Sequence, residues 1–174
     1  MKRVGIFIDV QNIQEVFERQ GAEVRYDRIK SYLTNRYKII NSEIVKFVAF
    51  IPYRNEDDRR MKLIDAISLM GYRVISKVAK DRPDGTVKAN MDLEMALEIL
   101  SMSDSLDEIV IVTGDSDFFP LINVLSRKGK RILVLGPGRG PTAIEIIRAA
   151  DEFENLDEIE GLVIKNEEKE IEQS

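Results

Sequence analysis

Four aspartates stand where an apolar run gives way to a polar turn or where a helix opens. Asp9 closes "GIFID" in "GIFIDVQN", Asp115 and Asp117 follow the strand-like run in "IVIVTGDSDFFPLI", and Asp92 opens "NMDLEMALEIL". An ionised carboxylate is costly at the end of a buried strand unless something pairs with it. Taken singly, each has an ordinary explanation. Asp9 suits a turn, Ser116 or Asp117 can cap a following helix, and an acid in a first helical turn gains about 0.3–1 kcal/mol from the helix dipole. Taken together, four carboxylates in one crevice repel one another unless a divalent cation neutralises them. Mg2+ and Mn2+ prefer oxygen ligands and need neither His nor Cys. Such an ion can activate a water and stabilise the charge that develops as a phosphodiester is displaced in line, which is nuclease chemistry.

Composition removes most alternatives. The 174 residues include no Cys and no His, which excludes disulfides, thiol nucleophiles, Ser-His-Asp triads and Cys/His zinc sites. The apolar opening is broken at Asp9, and no later run approaches the about 18 apolar residues of a membrane span, so the expectation is a cytoplasmic chain with no membrane partner. The length suits one domain. The net charge of −5 is uneven: residues 151–174 hold ten acids and two bases, which leaves residues 1–150 at +3. We read a domain over 1–157 and an acidic C-terminal tail over 158–174.

The elements that position the aspartates alternate in type. β-Branched, apolar runs at 3–9, 43–51, 72–76, 108–113 and 131–136 predict strands. Between them, "YDRIKSYLTNRY", "NEDDRRMKLIDAISLMG", "NMDLEMALEIL" and "DFFPLINVLSRKG" show helical spacing. In the second of these, Asn55 is the expected cap, Met61, Ile64, Ile67 and Met70 the apolar stripe, and Gly71 the stop. Continuous apolar strands between amphipathic helices predict a three-layer α/β/α domain around a parallel sheet. In a 3-2-1-4-5 strand order, the first and fourth strands lie side by side at the switch point where such sheets bind ligands. That order would bring Asp9 and Asp115 into one crevice. Asp92 shares its helical face with Met95, Ala96 and Ile99, which would turn it inward as well.

Basic residues suggest how a polyanion would be held. "KVAKDRPDGTVK" (77–88) carries Lys77, Lys80, Arg82 and Lys88 around an expected turn at Asp84-Gly85, and Lys88 is the expected phosphate contact. "SRKGKR" (126–131) should lie at the opposite end of the sheet. "GPGRGPTAIEI" (136–146) lacks both the third Gly of a dinucleotide fingerprint and the Lys-Ser/Thr of a P-loop. It either offers backbone N–H groups, Arg139 and Thr142 to a phosphate or serves as a plain connection. Phe118 and Phe119 are expected in the core rather than as stacking platforms.

The series "FIDVQN", "KANMDLEMALEIL", "IVTGDSDFFPLINVLSRKGKRILVLG" and "AADEFENL" resembles the NYN domain group, in particular its LabA-like branch, within the PIN-like nuclease superfamily. The resemblance spans roughly residues 3–156. It implies a PIN-like, Rossmann-like fold and a metal-dependent ribonuclease acting on single-stranded RNA with Mg2+ or Mn2+. Carried over position by position, it makes Asp9, Asp92, Asp115 and Asp117 the catalytic and metal-holding acids, with Asp9 and Asp115 as direct ligands. Asn12 would orient Asp9 or contact a phosphate, and the Thr113 and Ser116 hydroxyls would tune the carboxylates beside the substrate. The chain departs from the family at Val10 and Gln11, where a small Gly-Ser pair is common, and this would narrow the space beside the metal. The alternatives are a non-catalytic nucleic-acid or protein-binding module on the same fold, and a Toprim-type phosphotransfer domain, which expects Glu where Asp9 stands. A homodimer is compatible with the family, although no sequence feature requires one.

Overall fold

Alternate residues of each central strand enter two separate cores. Val4, Ile6 and Ile8 point to one side of the sheet and Phe7 to the other; Ala49 and Ile51 are opposed to Val48 and Phe50, Val110 and Val112 to Ile109 and Ile111, and Leu133 and Leu135 to Ile132 and Val134. This two-residue period, apolar on both faces, is the pattern of a sheet covered by helices on both sides.

The computed structural model describes residues 1–167 except 82, 85, 86 and 89, with the backbone alone at 87 and 88. Among the described residues the chain runs β1 (Lys2–Asp9), α1 (Val10–Arg19), β2 (Ala22–Val24), α2 (Tyr26–Ile39), β3 (Ser42–Tyr53), α3 (Asp58–Leu69), β4 (Arg73–Val78), β5 (Lys80–Asp81), β6 (Val87–Lys88), α4 (Asp92–Met102), β7 (Glu108–Val112), α5 (Phe119–Arg127), β8 (Arg131–Gly136), α6 (Ile144–Ala149), β9 (Glu152–Asn155) and β10 (Val163–Lys165). The main sheet has the order β4-β3-β1-β7-β8-β9, and its strands are parallel throughout. The α/β class and the expected order of five strands are therefore present. Helices α1, α2 and α3 pack on one face and α4, α5 and α6 on the other, as expected where the chain reverses its direction across a parallel sheet between β1 and β7. No helix among the described residues is long and apolar enough to cross a membrane.

Several elements differ from expectation. A sixth strand, β9, forms one edge: its Glu152 and Glu154 both pair with Arg36 of α2, the former at 2.7 Å, and Tyr32 donates to Glu154 at 2.8 Å. Helix α1 is not among the expected helices. It buries Val10, Ile13 and Phe17. The cap of α3 is Asp57, not Asn55, because Asp57 Oδ1 accepts the Arg60 N–H at 3.0 Å. Met61 lies outside the stripe and is exposed, whereas Ile64 and Ile67 are buried. Gly71 ends that turn with φ +94°. In the acidic segment after 157, Leu162 is buried and β10 pairs antiparallel with β2; residues 168–174 lie outside the described residues.

Candidate metal centre

Ile8 of β1 lies opposite Val112 of β7, so Asp9 and the segment 113–115 leave the sheet side by side at its carboxyl edge, where the chain reverses direction. Asp9 ends the strand and caps α1. Its Oδ1 accepts the Asn12 N–H at 3.3 Å, and its Oδ2 accepts the Thr113 hydroxyl at 2.9 Å. The Thr113 oxygen in turn accepts the Asp115 N–H at 3.2 Å. Asp115 Oδ1 accepts the Asp117 N–H at 2.9 Å and so caps the 3-10 turn Ser116–Phe118. A second tie joins the two junctions, because the Asn12 side-chain carbonyl accepts the Gly114 N–H at 2.8 Å. These bonds fix two carboxylates through short chain segments on adjacent strands.

Asp92 arrives from the opposite layer at the first residue of α4, with Met95 and Ile99 of the same helix buried beneath it. Asp9, Asp92 and Asp115 each offer a carboxylate oxygen, and these three atoms lie within 4.8 Å of one another. Asp9 is only 7% exposed. Burial raises its carboxyl to about 6, against the opposing hydrogen bonds from Thr113 and Asn12. Asp92 is pushed further, to about 8, by burial first and then by the charges of Asp9 and Asp115. Asp92 Oδ2 is buried with no hydrogen-bond partner. Among the described residues, no Lys or Arg forms an ion pair with any of the three. An all-oxygen set, crowded, electrostatically uncompensated and holding an orphaned buried oxygen, fits a hard divalent cation.

The remaining candidates are placed differently. Asp117 is exposed and its carboxylate is outside the group of three; its backbone N–H serves Asp115 instead. Ser116 begins the same turn and is exposed. Asn12 holds Asp9 through its backbone, while its side chain braces Gly114. Strands β5 and β6 pair antiparallel, but Arg82, Gly85 of the expected turn and the Lys88 side chain lie outside the described residues. Lys77 is engaged with Glu94. Phe118 is buried, whereas Phe119 is 39% exposed, which corrects the expectation that both join the core. Val10 is fully buried under α1 and takes no space beside the acids; Gln11 turns along its own helix and donates to Glu15 at 2.5 Å.

The loop 137–143 forms a wall of the site, a role that its own residues do not announce. Ala143 N–H donates to the Gly114 carbonyl at 3.0 Å, and a Cβ on Gly114 would meet the Pro141 carbonyl oxygen at 2.9 Å. Glycine is required there for close approach of two backbones. The one sequence signal for this wall is the Gly between Thr113 and Asp115. The Thr142 hydroxyl is buried and donates to the Gly138 carbonyl, so it is committed within the loop.

Comparisons with known proteins bear on the family and the fold. The NYN domain matches residues 3–157. The chain is 29% identical over 171 residues to the low amplitude and bright protein LabA of Synechococcus elongatus, covering 95% of this chain and 89% of that protein. It is 30% identical over 160 residues to the uncharacterized protein MJ0482 of Methanocaldococcus jannaschii, covering 87% of this chain but 57% of that longer protein. The crystal structure of VPA0982, a protein of unknown function from Vibrio parahaemolyticus, shares the fold, with a TM-score of 0.78 at 23% identity over 90% of this chain and 94% of that one. Because the match takes in every strand of the main sheet and all three clustered aspartates, the chain belongs to the NYN domain family, a nuclease-like group.

Proposed function

We propose that this NYN domain is a divalent-cation-dependent ribonuclease that hydrolyses phosphodiester bonds of single-stranded RNA. The observation that carries the reading is the convergence of Asp9, Asp92 and Asp115 within 4.8 Å, with the Oδ2 of Asp92 buried and unpartnered. A bound Mg2+ or Mn2+ would neutralise the acids, activate the attacking water and offset the charge that develops on the phosphate. Asp9 and Asp115 are the residues to hold it, since both are oriented by hydrogen bonds through Thr113. Asp92, whose unpartnered oxygen belongs to the same group of three, would complete the site beside the ion. Ser116 and Lys88 are the residues to meet the substrate, while Asn12 braces the centre through Asp9 and Gly114.

The test is cleavage of end-labelled single-stranded RNA by the purified chain with Mn2+, Mg2+ or EDTA, beside Asp9→Asn and Asp115→Asn. Metal-dependent cleavage that disappears in both variants supports the reading. Cleavage that persists in the variants points to a contaminant and returns both residues to structural roles. RNA bound but never cut would make the chain a binding module.

A further inference from the structure

A second polar recess lies beside the acidic centre, between α1 and the β3–α3 turn. Asp9 is paired in register with Phe50, and β3 continues to Tyr53, so the end of β3 projects about 10 Å past the level of Asp9. The recess has a volume of about 360 Å³ and is walled by Gln11 and Glu15 of α1, Tyr53 and Arg54 at the end of β3, and Asp57 and Arg60 at the start of α3. Through Asp57 and Arg60 it adjoins another hollow of about 320 Å³, which adds Arg59. Gln11 follows Asp9 by two residues and Tyr53 ends the strand paired with Asp9, so the recess lies at the same carboxyl edge of the sheet as the centre.

The acids of this recess are already engaged in hydrogen bonds. Asp57 caps α3 through the Arg60 N–H, Glu15 accepts from Gln11, and Glu18 accepts from Gln14 at 2.9 Å. The arginines of the recess lack acidic partners among the described residues: no carboxylate pairs with Arg54, Arg59 or Arg60, whereas Arg25, Arg36, Arg73 and Arg131 each have an acidic partner. Unpaired guanidinium groups around a hollow suit phosphate oxygens, which they bind in a forked geometry. Tyr53 adds a flat surface: it is half-buried, packed against the core on one side and bordering the recess on the other. A base stacks on such a ring only when it is free of a duplex.

We infer that this recess binds the stretch of single-stranded RNA next to the scissile phosphate, with Tyr53 stacking an unpaired base and Arg54 and Arg60 holding backbone phosphates. The inference rests on the ribonuclease reading of the neighbouring centre and assigns the substrate strand a path across it. It makes Tyr53, Arg54 and Arg60 substrate-binding residues.

The experiment is fluorescence anisotropy of a labelled single-stranded oligouridine and of the corresponding RNA duplex, in EDTA, over a series of salt concentrations. The full chain is compared with Arg54→Ala/Arg60→Ala, Tyr53→Ala and Tyr53→Phe. For the double arginine variant the dependence of log affinity on log salt should become shallower by about 1.4, or about 0.7 for each phosphate that is no longer neutralised. Tyr53→Ala should weaken binding about 5- to 100-fold, while Tyr53→Phe, which keeps the ring, binds as the unaltered chain does. The duplex should bind more weakly than the single strand. Unchanged affinity and salt slope in the arginine variant, equal binding of duplex, or no RNA binding by the unaltered chain would each overturn the assignment. If Tyr53→Ala fails to fold, the double arginine variant and the comparison of single strand with duplex still decide. Cleavage assays in Mn2+ separate the two ideas: an unaltered chain that cuts RNA while the variants bind normally removes only the recess, and one that binds through the recess yet never cuts removes only the nuclease.

Discussion

Thr113 and Asp9, 104 positions apart in the chain, are joined by one hydroxyl that donates to the Asp9 Oδ2 at 2.9 Å and accepts the Asp115 N–H at 3.2 Å. One side chain therefore orients both strand-end acids. Thr113 is itself fully buried, so no water competes for these bonds.

Replacing Thr113 by Val keeps the shape and removes both bonds. The Asp9 carboxyl then lacks a hydrogen bond that opposes the effect of burial, and its proton is held more firmly. Mn2+ affinity, measured by calorimetric titration, should fall about 10- to 100-fold, the usual effect of removing a group that orients a ligand. Thr113→Ser should restore it. Equal affinity in Val and Thr proteins would show that the hydroxyl has no part in ion binding.

Asp92→Asn should separate stability from activity. The amide removes a charge that faces Asp9 and Asp115, and its N–H can donate to either. In EDTA at a pH of about 8.5, above the folded value of Asp92, the variant should gain about 1 kcal/mol, or roughly 2–4 °C in Tm, and it should lose metal-dependent cleavage. A lower Tm in calorimetry would mean that carboxylate repulsion is not what burdens this site.

The raised carboxyls also set a pH dependence. Between the ordinary carboxylate range near 3.8 and their folded values of about 6 and about 8, Asp9 and Asp92 bind more protons in the folded chain than in the unfolded one. Stability contributed by these groups is therefore fully present below a pH of about 4 and is lost as pH rises through about 6 to 8. Urea denaturation of the chelated protein should show this decline. With Mn2+ the trend should reverse over the same interval, because the ion binds the ionised acids. Parallel curves with and without Mn2+ would argue that no ion binds there.

At the far edge, Arg36→Ala leaves Glu152 and Glu154 without their shared cation. Charged hydrogen bonds of this kind contribute about 1.5–3 kcal/mol each, less where water reaches them, so the midpoint in urea should shift by an amount corresponding to about 1–3 kcal/mol. RNA cleavage should be retained. A loss of cleavage with unchanged stability would mean that β9 acts on the site from a distance.

How much of this is legible in the sequence follows from which forces shape each segment. The five central strands announce themselves because both of their faces are buried, so apolar runs and strand order can be read together. β9 gives a weaker signal, since "EFEN" offers one apolar residue, Phe153, and its two glutamates are held by Arg36 and Tyr32 across the layer. Helix α1 is hidden because Asp9 ends a strand and caps a helix in one residue, with no Gly or Pro between them. Asp115 and Asp117 look equivalent in "DSD". The 3-10 turn separates them by using the Asp115 side chain to hold the Asp117 N–H, which turns one acid inward and leaves the other at the surface. Val10 looks like an intruder in the site because its neighbours in sequence are site residues, yet its side chain points into the layer beneath α1.

The position of β1 has a consequence for how the chain is made. It leads the sequence but sits at the middle of the sheet, with β3 on one side and β7 on the other. At a synthesis rate of about 5–20 residues per second, β7 follows β1 out of the ribosome by roughly 5–20 s. Throughout that interval "VGIFI" has an open hydrogen-bonding edge on the side that Ile109 to Val112 will later occupy, a template for unwanted pairing with other nascent chains. The acidic centre waits for the same event, since Asp9 has no Thr113 and no Asp115 to meet until β7 is laid down. Translation must therefore reach the segment that follows β7 before the three aspartates can form a common centre.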